Sequence, residues 1–306
     1  MVTARVDPDK IDTIAVLQLA ASDPPGRLSE WLSGAGLRLD VRDLAAGDPL
    51  PAGPQEHAGL VVLGGPMGAA DDQRAPYLPA VRALLRDAVS AEQPTLAVCL
   101  GAQLLALAHG GRIDPNPDGP ELGAQLVAKR TAAATDPLWG PLPITPDVVQ
   151  WHFDAITALP AGAILLAGSP LCENQAFRLG RLAWGVQFHI ETTPEIVRAR
   201  ARADAATLLA DYDTAVIDRI VERAAAVHPD VAEVWQPFVA AFTGIVRDPD
   251  SVPSPRTVPA STAAPVTDPA AIRAALAAEA QAAHGGPPGS PHRLPMPGPR
   301  PHDTDG

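Results

Sequence analysis

The feature that most constrains this chain is an alternation of short apolar runs with amphipathic stretches between residues 14 and 98. Ile14–Ala20 reads as a strand. Pro25–Ala35 reads as a helix, with Leu28, Trp31 and Leu32 at i, i+3 and i+4. Leu37–Leu44 places Leu37, Leu39 and Val41 at period two, which predicts a strand with one buried face. Leu60–Leu63 is a short buried strand running into Gly64-Gly65-Pro66. Pro76–Ala91 carries Leu78, Val81, Leu84, Leu85 and Ala88 on one helical face, and Pro94–Val98 is another buried strand. Strands alternating with helices predict an α/β fold, a mostly parallel sheet with helices on both faces.

The next stretch is richer in strands: Leu122–Arg130, Val148–His152, Ala163–Ala167, Gln175–Leu179 and Leu182–Phe188. At Thr193-Pro194-Glu195 the pattern changes to a capped helix start. Helical periodicity then runs to about Val246, with expected breaks near Asp211 and at His228-Pro229. These shifts divide the chain into an α/β domain over 1–193, a helical appendage over 194–246 packed on it, and a tail over 247–306. Thirteen of the 35 prolines fall in those last 60 residues, so the tail is expected to be largely disordered. Within it, Asp268–His284 has an Asp cap, proline at the first position and a glycine stop, and predicts a transient helix.

The 306 residues carry a net charge of −12. That balance argues against a nucleic-acid partner and against an anionic membrane surface. No run reaches the roughly 18 apolar residues of a membrane helix, and the N-terminus lacks a secretory pattern, so the expected location is cytoplasmic. Two cysteines, Cys99 and Cys172, are too few for a disulfide framework or a four-cysteine zinc site, and no metal site or cofactor is expected.

Cys99 stands between the strand ending at Val98 and an apolar helix beginning near Gly101. A sharp strand-to-helix turn lifts a nucleophile clear of the sheet, and the helix N-terminus favours a thiolate. Seen alone, the same position suits an inert buried cysteine. A thiolate nucleophile needs a histidine. His284, His292 and His302 lie in the tail, His228 lies in the appendage, and His57 lies in a Pro/Gly-rich loop read as surface. His109 sits about 15 Å along the helix from Cys99. His152 and His189 remain. His189 closes an apolar strand, and Glu191, two residues on, points to the same side and can fix its tautomer. Gly64-Gly65-Pro66-Met67-Gly68 offers exposed N–H groups for an oxyanion, although an ordinary βα turn would look alike.

Three segments in this order, Gly64-Gly65-Pro66, Cys99-Leu-Gly-Ala-Gln103 and Gly185-Val-Gln-Phe-His-Ile-Glu191, resemble class I (triad-type) glutamine amidotransferase domains. The chain is similar to stand-alone proteins of the kind related to the amidotransferase domain of GMP synthase. Trp151-His152-Phe153-Asp154 matches a further segment of that group. The resemblance covers about residues 14–194 and implies a flavodoxin-like fold. It implies that Cys99 attacks the carboxamide carbon of L-glutamine, that His189 shuttles protons, and that Glu191 orients His189. The N–H groups of Gly65 and Leu100 would form the oxyanion hole. Gln103, Trp151 and His152 would contact the substrate, the last two through backbone.

Ile190 stands where the family commonly has proline, and Trp151 where serine is usual. No ATP-using synthetase domain accompanies the core, so an ammonia acceptor is expected on another chain. Two other functions share the fold: hydrolysis of γ-glutamyl amides or peptides, and a catalytically idle scaffold. The intact Cys99, His189 and Glu191 set weighs against the scaffold.

Overall fold

The computed structural model describes residues 12–253. The Asp268–His284 helix and most of the expected tail lie outside them. Strand β1 (Thr13–Gln18) buries its four central residues, and helix α1 (Gly26–Gly34) buries Leu28, Trp31 and Leu32, as the spacing predicts. Strand β2 (Arg38–Asp43) pairs in parallel with β1. It is the sheet's edge, so Val41 is 40% exposed and the expected buried face forms only in part: Leu39 is half-buried against the core, and the fully buried leucines, Leu37 and Leu44, flank the strand. Strand β3 (Gly59–Val62), helix α2 (Leu78–Ser90), strand β4 (Thr95–Val98) and helix α3 (Leu100–Ala108) follow in the expected places. β3 and β4 are buried at every residue, as strands covered on both faces must be.

Strand β5 (Arg112–Pro115) was not legible, because its polar residues hide the pattern. The single strand expected over 122–130 is two, β6 (Glu121–Leu126) and β7 (Ala128–Lys129), which belong to different sheets. Strands β8 (Asp147–His152), β9 (Asp154–Ala158), β10 (Ile164–Gly168), β11 (Ala176–Leu179) and β12 (Ala183–Val186) complete the set. The central sheet has eight strands in the order β2-β1-β3-β4-β12-β11-β10-β7. The first five run parallel; β11, β10 and β7 continue antiparallel. Two separate ribbons, β5·β9 and β6·β8, lie apart from this sheet. Parallel pairing puts the C-terminal ends of β1, β3, β4 and β12 side by side, and the segments leaving them are those that carry the chemistry.

Thr193 Oγ1 accepts from Ile196 N and caps helix α4 (Pro194–Ala203), as expected. Helix α5 (Ala205–Asp211) ends at the predicted break. Helix α6 (Thr214–Arg247) does not break at His228-Pro229; it runs unbroken for 34 residues through Pro229 and Pro237. Each interior proline costs about 3 kcal/mol. Against that, Trp235, Phe238, Val239 and Phe242 are all at most 2% exposed, and each such side chain contributes about 1.5–3 kcal/mol. Trp235 also donates its indole N–H to Asp147 O at 2.8 Å. Tertiary packing therefore outweighs the local rule.

These helices belong to the same compact unit as the sheet. Past Arg247 the chain stays packed as far as Val252: Val252 is 2% exposed, and Arg181 donates to the carbonyls of Pro249 and Val252. His57, expected at the surface, is buried with its ring 2.8 Å from Asp40. No helix among the described residues is long and apolar enough to cross a membrane.

Candidate active site

Cys99 follows β4 and caps α3 with φ 52° and ψ −112°, a conformation rare for a residue with a side chain. The bonds around it hold that turn. Cys99 N donates to Val186 O at 2.8 Å, and Gln103 N donates to Cys99 O at 3.0 Å. Gly101 permits the turn: a Cβ there would stand 2.2 Å from Val62 O. The predicted sharp strand-to-helix turn at Cys99 is present.

His189 lies beyond the end of β12, bridged to Val149 of β8 through both backbone groups. Its Nδ1 is 2.7 Å from Glu191 Oε1, and both side chains are 1% exposed. Nε2 has no hydrogen-bond partner and lies on the ring edge away from Glu191. Gly64 brings this ring and Cys99 together. A Cβ on Gly64 would lie 3.2 Å from His189 Cε1, 3.5 Å from Cys99 Cβ and 2.8 Å from Asp23 Oδ1. Any larger residue would fill the space between thiol and imidazole.

The charges are coupled. Burial and the Arg200 cation push His189 down, but Glu191 and Cys99 outweigh them and raise it to about 9. Burial alone would push Glu191 up; His189 and Arg200 instead hold it down to about 2. At neutral pH this is an imidazolium–carboxylate pair. Cys172 lies apart in the Ser169–Cys172 turn, and burial pushes its thiol up to about 12.

A cavity of about 290 Å³ opens at Cys99. Gly65, Met67, Gln103, Trp151, His152, Asp154, Arg200 and Asp204 are among its walls. No backbone hydrogen bond occupies the N–H of Gly65 or of Leu100 among the described residues, and Leu100 opens α3. Gln103 lines the cavity, but its amide donates to Asp154 O at 3.2 Å and to Gln187 Oε1 at 3.3 Å. Trp151 is the penultimate residue of β8; its carbonyl lies 4.0 Å from Cys99 Sγ, and its indole N–H donates to Asp204 Oδ2 at 2.8 Å. The His152 ring turns inward, 3.0 Å from the fully buried Glu121 and 2.8 Å from Asp154 O. That leaves the backbone of this turn, rather than the imidazole, toward the cavity.

Two groups were missed from sequence. Arg200 on α4 is 4% exposed and pairs with Asp23 and, at 3.4 Å, with Glu191 Oε1. Asp23 follows β1 on the edge where such sites form, and that position was the available signal. Arg200 gave none, because arginines on an amphipathic helix usually face water.

Known proteins share this arrangement of segments. The family described as glutamine amidotransferase class-I matches residues 39–203. The chain is 30% identical over 175 residues to the glutamine amidotransferase-like protein YfeJ of Salmonella typhimurium, covering 56% of this chain and 72% of that one. It is 33% identical over 159 residues to one subunit of the glutamine-hydrolysing GMP synthase of Halobacterium salinarum, covering 51% and 76%. Against the longer GMP synthase of Porphyromonas gingivalis, the match spans 19% of that protein's length. A glutamine amidotransferase structure from Methylobacillus flagellatus superposes with a TM-score of 0.65 at 28% identity, covering 79% of this chain and 96% of that one.

Proposed function

This chain belongs to the class-I glutamine amidotransferase family, and on that footing we propose that it hydrolyses the side-chain amide of L-glutamine in the cytoplasm and passes the ammonia to an acceptor on another chain. The observation that carries the reading is the strained turn that sets Cys99 at the mouth of the cavity, with the buried, hydrogen-bonded His189–Glu191 pair across Gly64 from it.

In this mechanism Cys99 Sγ, as thiolate, adds to the carboxamide carbon. The oxyanion that forms takes hydrogen bonds from the N–H groups of Gly65 and Leu100. His189, as imidazolium, protonates the departing nitrogen; the C–N bond breaks, and ammonia leaves a glutamyl thioester. Water then attacks the thioester while His189 takes its proton. Glutamate departs and the thiolate returns. Glu191 accepts from His189 Nδ1 throughout and keeps Nε2 toward the reacting atoms. A 290 Å³ cavity lies at the small end of ligand pockets, which suits an amino acid better than a nucleotide. The halobacterial relative is named as one subunit of its synthase, which supports an acceptor site on a partner synthetase chain.

A second reading, hydrolysis of larger γ-glutamyl amides or peptides, is favoured by the Trp151 indole on the cavity wall. A panel separates the two: glutamate release from L-glutamine is expected to exceed release from γ-glutamyl anilides and dipeptides. A preference for the bulkier substrates would replace the first reading with the second.

A further inference from the structure

We infer that Arg200, seated on Asp23, is a positioning residue of this site: it anchors the carboxylate that orients His189 and ties the catalytic residues to helix α4. The inference rests on the roles of Cys99, His189 and Glu191 proposed above.

Helix α4 carries arginines at 198, 200 and 202, and only the middle one is buried. Arg198 stays half exposed beside an exposed Glu195. A buried cation is costly unless it is paired. Both of Arg200's carboxylate partners belong to the site: Asp23 Oδ1 on one side and Glu191 Oε1 on the other. The Glu191 oxygen it contacts at 3.4 Å is the same one that receives His189 Nδ1 at 2.7 Å. Asp23 is itself held by Ser22 Oγ at 2.5 Å, so the guanidinium is braced from behind. One turn further on, Asp204 takes the indole N–H of Trp151, whose carbonyl faces Cys99 Sγ. One helix therefore holds both the acid partner of His189 and the wall beside the nucleophile.

The charged groups facing His189 are Cys99 from the start of α3, Glu191 from its own segment and Arg200 from α4. Asp23, after β1, stands behind Arg200. Arg200 is the one cation in this set, and it opposes protonation of the imidazole. Removing it leaves His189 among anions alone and lets the Glu191 carboxylate rotate.

The test uses the full chain with Arg200→Met, Arg200→Lys and Asp23→Asn. His189 is followed by NMR of histidine-labelled protein, its signal assigned by loss in His189→Gln. Turnover of L-glutamine is measured in parallel. Arg200→Met should move the His189 titration to higher pH and lower kcat by about tenfold or more, with KM within about twofold. Arg200→Lys keeps the charge, so the titration should stay near wild type while kcat recovers only in part, because the planar fork is lost. Asp23→Asn strips the anion from behind the cation and should move the titration to lower pH. A folded Arg200→Met whose His189 titrates as wild type overturns the inference. If Arg200→Met does not fold, wild-type titration and kcat in Asp23→Asn overturn it. The NMR readout is independent of turnover: a titration shift in a protein inert to glutamine would uphold Arg200 and sink the glutaminase reading.

Discussion

At Cys99 the backbone holds a positive φ that costs about 1–3 kcal/mol, in a residue at the mouth of a cavity. Cys172 has the opposite setting, in a closed turn with its thiol raised to about 12. Iodoacetamide at neutral pH is therefore expected to modify the folded protein once, at Cys99; equal labelling of Cys172 would contradict that contrast. The His189–Glu191 pair carries a second prediction. In the proposed mechanism His189 is protonated to release ammonia, and it is raised to about 9 by Glu191 and Cys99 against burial and Arg200. The alkaline limb of kcat/KM should then lie near 9, above an ordinary histidine. Glu191→Gln removes the anion that favours the imidazolium, so the limb should fall toward neutral pH; a limb left in place would refute the coupling. Cys99, His189 and Glu191 were legible because each sits in a short local pattern: a strand end, a helix start, a two-residue spacing. Arg200 and Asp23 were not: they meet across 177 residues, Arg200 lies in no such pattern, and the strand end before Asp23 does not by itself point to a buried cation.

Among the elements, α3 and β3 meet most closely at Gly101. An added Cβ would press on the carbonyls of Val62 and Leu63, which are backbone and cannot rotate away. Gly101→Ala should cost about 2–3 kcal/mol in denaturant unfolding and slow turnover, because it displaces Leu100 as well. An alanine variant that melts with the wild type would mean the turn is looser than these contacts imply. Element types followed the periodicity wherever a strand or helix had one buried stripe. The exceptions have physical causes. β2 is an edge strand, so its period-two pattern produced only a half-buried face. β5 pairs only with β9 and carries polar residues outward. α6 passes two prolines because an aromatic cluster outweighs them: Trp235 lies 5.1 Å from Phe188 and 5.6 Å from Trp139, between ring centroids. Phe188 immediately precedes His189, so this distant helix supports the floor of the site.

For the whole molecule, the last described residues still belong to the packed unit. Val252 is buried, and Arg181 grips the carbonyls on either side of the short turn after α6. A chain ending at Pro253 keeps this turn and serves as the reference. One ending at Arg247 should lose about 1–2 kcal/mol, from one exposed apolar side chain and two charge-assisted hydrogen bonds. Identical midpoints would show that the turn contributes nothing. The same unit brings segments from three parallel strand ends, two ribbons and α4 around one cavity, and the proposed activity for this assembly is hydrolysis of glutamine through Cys99. Glutamate release from L-glutamine by the purified protein, run beside Cys99→Ala, tests it most directly. Release by the native chain that the alanine variant lacks is the expected result; release undiminished by Cys99→Ala would contradict it.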